Sequence, residues 1–256
     1  MIILAVETAT LTGSVALLGS EDIVIEHTSG SPGTHSVWLM PAIERIFKQA
    51  GFSLSDLEAI AVSLGPGSFT GLRVGISTVR GLAQTLRLPV VGIPTLDGLA
   101  SHSIDTSYRI CPILDARKKQ VYAAFYRSQK GEIVRISDYL AIEPSHLVDM
   151  IQEPVFFLGE GLEVYQAFLK ENLGDLAHFA PPTHWRTRAL SIASLGLKAL
   201  ERGEGRDFRE ITPLYIRPPD IRNVSVQPLR HKDTTSILDP GCSILDARFW
   251  MLDPGY

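Results

Sequence analysis

The sequence predicts an α/β fold made of two duplicated βββαβα halves, each with a mixed sheet. Residues 2–19 and 109–126 both contain a β-rich run that ends in an acidic residue, a polar loop and a second β-rich run. A third short run follows each of them, and helical and strand patterns alternate after it. Two such halves leave a cleft between them, where ligands commonly bind.

The elements of the first half follow from hydrophobic spacing. Leu39, Ile43, Ile46 and Phe47 recur at helical intervals, and Gly51 ends that pattern. Strands are expected at 2–7, 14–19, 23–28, 57–65 and 88–95, and helices at 35–51 and from about 70 to 87.

The second half repeats this plan. Its first two strands are expected within 109–126, its third at 132–137 and a further one at 154–159, with helices at 143–151, 160–173 and 190–203. The predicted domains are an N-terminal, partner-binding subdomain (1–104), a C-terminal subdomain (105–225) and an extension outside the core fold (226–256). The extension contains the near-repeats SILD and LDPG and no long periodic segment.

Composition bounds the function. The 256 residues carry a formal net charge of -4, so the surface as a whole is not a nucleic-acid clamp. Cys111 and Cys242 lie far apart, which favours a reducing compartment over a disulfide framework. The N-terminus lacks the basic segment of a signal peptide, and no apolar run is long enough to span a bilayer. These observations predict a cytoplasmic protein.

Residues 63–75, SLGPGSFTGLRVG, form the most distinctive stretch of the chain. A P-loop needs a lysine after its glycines, but no lysine lies between residues 49 and 117. The dinucleotide pattern needs glycine at position 70, which is Thr70. A nucleophile elbow around Ser68 needs glycine at 66 and 70. All three templates are therefore excluded.

A turn followed by a packing helix remains. Gly71, Gly75 and Thr78 form one stripe of small residues on the predicted helix. Because a glycine inside a helix costs about 1 kcal/mol relative to alanine, two on one stripe indicate that another backbone comes close there. Two interpretations stay open, namely packing against the chain's own fold and packing against a partner.

A family resemblance rests on several motifs in a fixed order. They are AVETAT…GSVAL, HS…LMPAIERIF, SLGPGSFTGLRVGISTVRGLA, PVVGIPTLDGLA, LDARKKQVYAAFY and PLYIRPPD. From residue 1 to about 222 the sequence resembles the bacterial TsaB (YeaZ) family, and GPGSFTGLRVG is highly specific for it. The resemblance implies the actin/sugar-kinase/Hsp70-like (RNase H-like) fold with two duplicated subdomains.

The resemblance also implies a function. Members of this family pair with the related TsaD and with the ATPase TsaE to transfer a threonylcarbamoyl group to the adenosine beside certain tRNA anticodons. TsaD carries the chemistry and holds a metal with a His-x-x-x-His motif, where this sequence has Thr95 and Leu99. Since neither is an adequate metal ligand, we expect a non-catalytic scaffold or activating subunit. It is expected to need no cofactor of its own, with ATP or ADP at most at the partner interface.

The partner surface is also implied by the resemblance, which assigns TsaD binding to the first-subdomain helices. We expect this surface to bind TsaD, or a second copy of the chain when TsaD is absent. A bulky residue at position 75 is then expected to abolish partner binding and leave a folded monomer. The predicted surface comprises His35, Leu39, Ile43, Gly71, Arg73, Gly75 and Thr78.

The loop after the first strand corresponds to the nucleotide phosphate loop of catalytic relatives. Its polar residues, Glu7, Thr8, Thr10 and Thr12, are interpreted as a vestigial nucleotide loop. Glu7 and Asp115 end equivalent strands, which leaves a paired-carboxylate Mg²⁺ or general-base site as the alternative. A small-molecule kinase or ATPase is therefore the second functional hypothesis. A peptidase is the third, and only the adjacent Ser, His and Asp of residues 101–105 favour it.

The sequence patterns for a metal site and for an RNA contact are weaker than those above. The seven histidines show no i, i+4 pair, so no metal site is predicted. Residues 186–232 hold ten Lys/Arg against five acidic residues, an excess of +5. Such a surface is either a solvated helix face or an indirect or weak contact for tRNA phosphates.

Overall fold

Two β-sheets organise the chain in this computed structural model, which describes residues 1–19, 24–29, 35–103 and 105–217. The predicted extension at 226–256 and Cys242 lie outside these residues. Within the described ranges, no helix is both long and apolar enough to cross a bilayer.

The first sheet has the strand order β3-β2-β1-β4-β5. Its strands are β1 (Ile2–Glu7), β2 (Ser14–Gly19), β3 (Val24–Thr28), β4 (Ala59–Gly65) and β5 (Val90–Pro94). β1, β2 and β3 pair antiparallel, whereas β1, β4 and β5 pair parallel. The parallel pairs need crossover helices, and α1 (His35–Ala50) and α2 (Phe69–Leu86) supply them.

The second sheet repeats this order as β10-β7-β6-β11-β12. Its strands are β6 (Arg109–Asp115), β7 (Val121–Ala123), β10 (Leu140–Ile142), β11 (Val155–Leu158) and β12 (Ala177–Phe179). Helices α4 (Pro144–Asp149) and α5 (Leu162–Leu173) accompany them. The predicted fold class, an α/β fold with a duplicated sheet plan, is confirmed.

One predicted strand of the second half forms, but its predicted place in the sheet is wrong. Residues 132–137 were expected to supply the third strand, but β9 (Glu132–Arg135) pairs instead with β8 (Tyr126–Gln129) in a hairpin beside β6. Lys130 and Gly131 between them have φ of 53° and 78°, the backbone of a tight two-residue turn. This local turn ties residues 132–135 to β8, and β10 takes the third-strand place.

Helix α6 (Ala189–Glu201) lies against the first sheet, although it follows the second sheet in sequence. The sheet face that it covers carries small side chains, including Ala5, Ala16 and Ala61. A Cβ added to Gly196 would lie 2.6 Å from the Ala61 Cβ, so this glycine permits the close approach. The boundary between subdomains at 104/105 stays a prediction.

Residues 206–217 run back along the first half. Arg206 and Val90 exchange two backbone hydrogen bonds of 2.9 and 3.0 Å, and the Leu214 N–H donates to the Leu64 carbonyl at 2.8 Å. From α2, Arg80 donates to the carbonyls of Phe208 and Arg209 at 2.9 and 2.8 Å. Strands β4 and β5 and helix α2 therefore hold this segment in place.

Candidate functional site

The glycine-rich turn is pressed against the loop between β1 and β2. Ser68 begins α2 as its N-cap, because its hydroxyl accepts the Gly71 N–H at 3.2 Å. The Ser68 N–H donates to the Ala9 carbonyl at 2.6 Å. A Cβ on Gly67 would overlap that same carbonyl. The turn is thus used for a close approach between two loops of one chain.

The small-residue stripe of α2 continues this contact. A Cβ on Gly71 would overlap the Thr8 carbonyl oxygen, and one on Gly75 would overlap the Thr8 Oγ1. Both glycines are buried. Of the two open interpretations, the structure shows packing of the stripe against the chain's own loop. A bulky residue at 75 is therefore expected to disturb the monomer itself, which corrects the expectation of an intact monomer.

Other members of the predicted partner surface are also buried. The His35 Nε2 lies 3.0 Å from the Thr10 carbonyl, and Leu39 and Ile43 belong to the hydrophobic core. Because these side chains already contact their own chain, a surface formed by all seven residues is not exposed on the folded protein.

Two of the seven predicted residues reach the surface. Thr78 is half-buried and Arg73 is exposed. The Arg73 guanidinium lies over the Phe69 ring, 3.7 Å from its centroid, and donates to the Tyr215 hydroxyl at 3.4 Å. On α1, Val37 and Met40 are 73% and 48% exposed, so the helix pair does present apolar side chains to solvent. A partner role for these helices stays a prediction.

Glu7 is fully buried at the end of β1. One carboxyl oxygen, Oε1, accepts the Ala9 N–H at 2.5 Å, whereas the other has no hydrogen-bond partner among the described residues. Burial is the main cause that raises the pKa of Glu7 from 4.5 to about 7. The carboxyl group is therefore half neutral near pH 7.

The carboxylate that interacts with Glu7 is Glu160, not Asp115. Repulsion from Glu160 adds to the upward pKa shift of Glu7. Glu160 lies in the loop after β11 and accepts a hydrogen bond from the Leu11 backbone, and burial raises its pKa above the ordinary value. Asp115 instead accepts the Arg117 N–H at 2.9 Å. These contacts do not support the alternative of a site that pairs Glu7 with Asp115.

The β1–β2 loop does not fit a magnesium–nucleotide group in this arrangement. Thr8, Thr10 and Thr12 are buried, and the exposed member of the loop is Leu11, at 52%. Mg²⁺ prefers ionised, accessible carboxylates, but Glu7 is inaccessible and partly protonated at neutral pH. The interpretation as a vestigial nucleotide loop stays a prediction.

Helix α3 (Thr95–Ala100) contains Thr95 and Leu99, the two positions at which the sequence predicts no metal ligand. Thr95 and Leu99 are fully buried. On the same helix, Asp97 accepts hydrogen bonds from the hydroxyls of Tyr126 and Tyr139 at 2.6 and 2.8 Å. No three metal-ligating side chains come together in the part of the chain that the structure covers. The two hydrogen bonds of Asp97 instead connect α3 of the first half to the second half of the chain.

A cavity of about 170 Å³ lies at the start of α6, and its lining includes His102, the histidine of the Ser-His-Asp run at 101–105. The His102 Nε2 there lies 2.7 Å from the Ser191 Oγ. Burial above all lowers the pKa of His102 to about 4. Its Nδ1 has no partner among the residues described, so no carboxylate orients the ring as a triad requires. The cavity does not support the peptidase hypothesis.

The cations predicted to form a positive surface within 186–232 are largely paired. Arg188 contacts Glu26, and Lys198 lies 3.7 Å from Glu132. Further ion pairs join Arg202 to Glu204 at 2.6 Å and Arg209 to Asp207 at 2.8 Å. Arg222, Arg230 and Lys232 lie outside the described residues. The excess of +5 counted from the sequence therefore overstates the positive charge that this region presents to solvent.

A basic turn between β6 and β7 was not singled out from the sequence. Arg117, Lys118 and Lys119 are consecutive and exposed, with φ of 61°, 51° and 60°. Arg217 reaches this turn and donates to the Gln120 Oε1 at 3.0 Å. The sequence shows three consecutive cationic residues, but it does not show that all three adopt positive φ.

Comparison with known proteins identifies the relatives of this chain. A family profile described as "TsaD: tRNA N6-adenosine threonylcarbamoyltransferase" matches residues 31–221. A tRNA threonylcarbamoyladenosine biosynthesis protein TsaB from Haemophilus influenzae is 31% identical, over 84% of this chain and 93% of its own length. TsaB from Bacillus subtilis is 29% identical over 85% of this chain and 94% of its own.

Solved structures agree with this result. YeaZ from Pseudomonas aeruginosa superposes with a TM-score of 0.72 at 30% identity, over 84% of this chain and 99% of its own. An activator of 2-hydroxyisocaproyl-CoA dehydratase from Clostridium difficile, with bound ADPNP, reaches a TM-score of 0.51 at 12% identity, over 84% of this chain and 100% of its own. The second likeness shows a shared fold.

Proposed function

The chain belongs to the TsaB (YeaZ) family of tRNA threonylcarbamoyladenosine biosynthesis proteins, and we propose that it serves there as a non-catalytic scaffold or activating subunit. Its partners in this proposal are a TsaD-type transferase, which carries the reaction, and a TsaE-type ATPase. The reaction places a threonylcarbamoyl group on the adenosine next to the anticodon of tRNAs.

The burial of the positions where chemistry would be expected supports this proposal best. Thr95 and Leu99, which correspond to the metal-binding histidines of TsaD, are fully enclosed in the core. Glu7 is equally enclosed and partly neutral at pH 7. A transferase or kinase needs donors that substrate can reach, and these side chains face their own fold.

The docking surface in this proposal is the exposed side of α1 and α2. Val37, Met40 and Glu44 recur at intervals of three and four on α1 and are exposed. The two helices pack together, so Arg73 and Thr78 on α2 extend the same region of the first half. The buried glycines hold α2 against the β1–β2 loop, which fixes the orientation of this surface.

Reconstitution of the reaction tests the proposal. Threonylcarbamoyl incorporation into an unmodified tRNA is measured with the TsaD-type and TsaE-type proteins, with and without this chain, and ATP hydrolysis is measured for this chain alone. We expect incorporation to require the chain and the chain alone to be inactive. ATP turnover by the isolated chain, abolished in Glu7→Gln, would instead establish the kinase or ATPase alternative.

A further inference from the structure

We propose that the turn between β6 and β7, residues 116–120, binds phosphate groups of an RNA backbone through Arg117 and Lys119, with Arg217 beside them. This inference rests on the proposed function, because the tRNA of that pathway supplies the RNA. It concerns a part of the chain distant in sequence from α1 and α2, and of the cations of the 186–232 region it involves only Arg217.

The backbone of this turn is held in a costly conformation. The Ala116 N–H donates to the Gln120 carbonyl and the Gln120 N–H to the Arg117 carbonyl, both at 3.0 Å. Within this frame residues 117–119 all lie in the left-handed region, which costs an L-residue about 1–2 kcal/mol. Asn or Gly adopts this conformation more easily, yet the chain has Arg-Lys-Lys. This choice favours a function for the charge.

The turn also concentrates positive charge at the surface. Residues 115–120 contain three cationic side chains and one carboxylate, that of Asp115. The Arg117 guanidinium lies 3.7 Å from this carboxylate and its side chain is still 77% exposed. The bond from Arg217 to Gln120 brings a further guanidinium to the turn. Lys198 and Arg202 also lie beside carboxylates, those of Glu132 and Glu204, but their side chains are less exposed, at 46% and 56%.

Phosphodiesters are the partner that this chemistry fits. Arginine and lysine on a short exposed turn provide several donors over a few ångströms, which suits the repeated charges of a nucleic-acid backbone. The exposed side chains of residues 117–119 include no aromatic ring on which a base could stack. The contact is therefore expected to position RNA without reading its sequence.

The test uses the double variant Arg117→Asn/Lys119→Asn in the full chain. Asparagine tolerates the left-handed region, so the variant loses two charges without adding strain. The matched control, Lys198→Gln/Arg202→Gln, loses the same charge from two ion-paired residues, Lys198 of α6 and Arg202 directly after it. Binding of a full-length, unmodified tRNA is followed by fluorescence anisotropy over a series of salt concentrations, for the chain alone and with the TsaD-type protein.

We expect tRNA binding by the turn variant to weaken about tenfold near 0.1 M salt, and the slope of log K against log salt to fall by about 2. The control is expected to change binding less than about twofold. The charge-conserving variant Arg117→Lys/Lys119→Arg should bind as the wild type does. The melting temperature of each variant verifies folding.

Unchanged tRNA affinity and salt slope in the turn variant would overturn the inference, as would an equal loss in the control. If the turn variant lost ATP binding and kept its tRNA binding, the RNA inference would be overturned and the turn would be a site for nucleotide phosphates. Co-elution with the TsaD-type protein is measured separately for every variant. If the wild-type chain fails to co-elute, the proposed function fails, while the comparison of tRNA binding by the chain alone still decides the role of the turn.

Discussion

The Thr8 side chain occupies the space that a Cβ on Gly75 would need, so the loop after β1 and helix α2 pack in direct contact. Gly75→Ala is therefore expected to destabilise the monomer by about 2 kcal/mol, since overpacking outweighs the gain in helix propensity. Chemical denaturation measures this change. On the same helix, Gly81 has no heavy atom within 4 Å of its added Cβ, and Gly81→Ala should stabilise the protein by about 0.5–1 kcal/mol.

A second substitution tests whether Thr8 is the cause. In Thr8→Ala the Oγ1 is absent, and the next neighbour of a Cβ at position 75 is the residue-8 Cβ at 3.3 Å. The double variant with Gly75→Ala should thus lose less stability than the sum of the single variants. Thr8→Ala should not rescue Gly71→Ala, because a Cβ at position 71 overlaps the backbone carbonyl of residue 8, which this substitution leaves in place. Additive effects at 8 and 75 would refute this explanation.

Glu7 predicts a dependence of stability on pH. Its pKa is about 7 in the folded protein against an ordinary 4.5, so the folded state binds more protons than the unfolded state between these values. Stability due to this group is fully present below pH 4.5 and is lost as pH rises through 7. Glu7→Gln should remove the effect, and the variant should gain about 3 kcal/mol relative to the wild type between pH 4.5 and pH 8.

Urea denaturation of both proteins from pH 4 to pH 8 measures this difference. Asp115→Asn serves as the control, because Asp115 is partly exposed and accepts its hydrogen bonds within its own turn. A constant difference between Glu7→Gln and the wild type at all pH values would show that Glu7 titrates normally.

The exposed apolar residues of α1 predict the effect of charge on partner binding. Val37→Asp/Met40→Asp should reduce association with the TsaD-type protein at least about tenfold, because a carboxylate would be desolvated in the interface. Both residues are exposed, so the melting temperature should stay the same. Val164→Asp, at a valine of α5 that is 61% exposed, is the matched control. Equal binding by both variants in calorimetric titration would place the interface elsewhere.

Arg80 predicts a local change in the segment 206–217. Its guanidinium donates to two backbone carbonyls, so Arg80→Met should cost about 1–2 kcal/mol. It should also speed hydrogen exchange at the Leu214 amide, which lies in this segment and donates to the Leu64 carbonyl of β4. Arg45→Met, at an exposed position of α1, should leave this amide protected. Slow exchange at Leu214 in both variants would show that Arg80 does not hold the segment.

The sequence predicted the elements whose signals are local. Helix α2 is predicted from about 70 to 87 and spans Phe69–Leu86. The prediction is close because the N-cap, the apolar face and the end of the helix all depend on neighbouring residues. The third strand of the second half was misplaced because the turn at Lys130 and Gly131 decides the pairing. The GPGSFTG motif was identified correctly as a turn that starts a helix.

The candidate sites were harder to predict, since they depend on which distant segments meet. Nothing near Gly75 in the sequence shows that Thr8 fills the space beside it. The pairing of Lys198 with Glu132 likewise joins separate elements, so a count of charges in one segment overstated its field. Burial raised the pKa of Glu7, and burial is a property of the whole fold.

The most direct test of the proposed role is a titration of this chain into a fixed amount of the TsaD-type and TsaE-type proteins with tRNA and substrates. We predict that threonylcarbamoyl incorporation is absent or minimal without the chain, rises with its concentration and reaches a plateau at a fixed stoichiometry. The chain alone should give none. Incorporation that is independent of this chain, or that the chain catalyses without the TsaD-type protein, would contradict the role of a non-catalytic subunit.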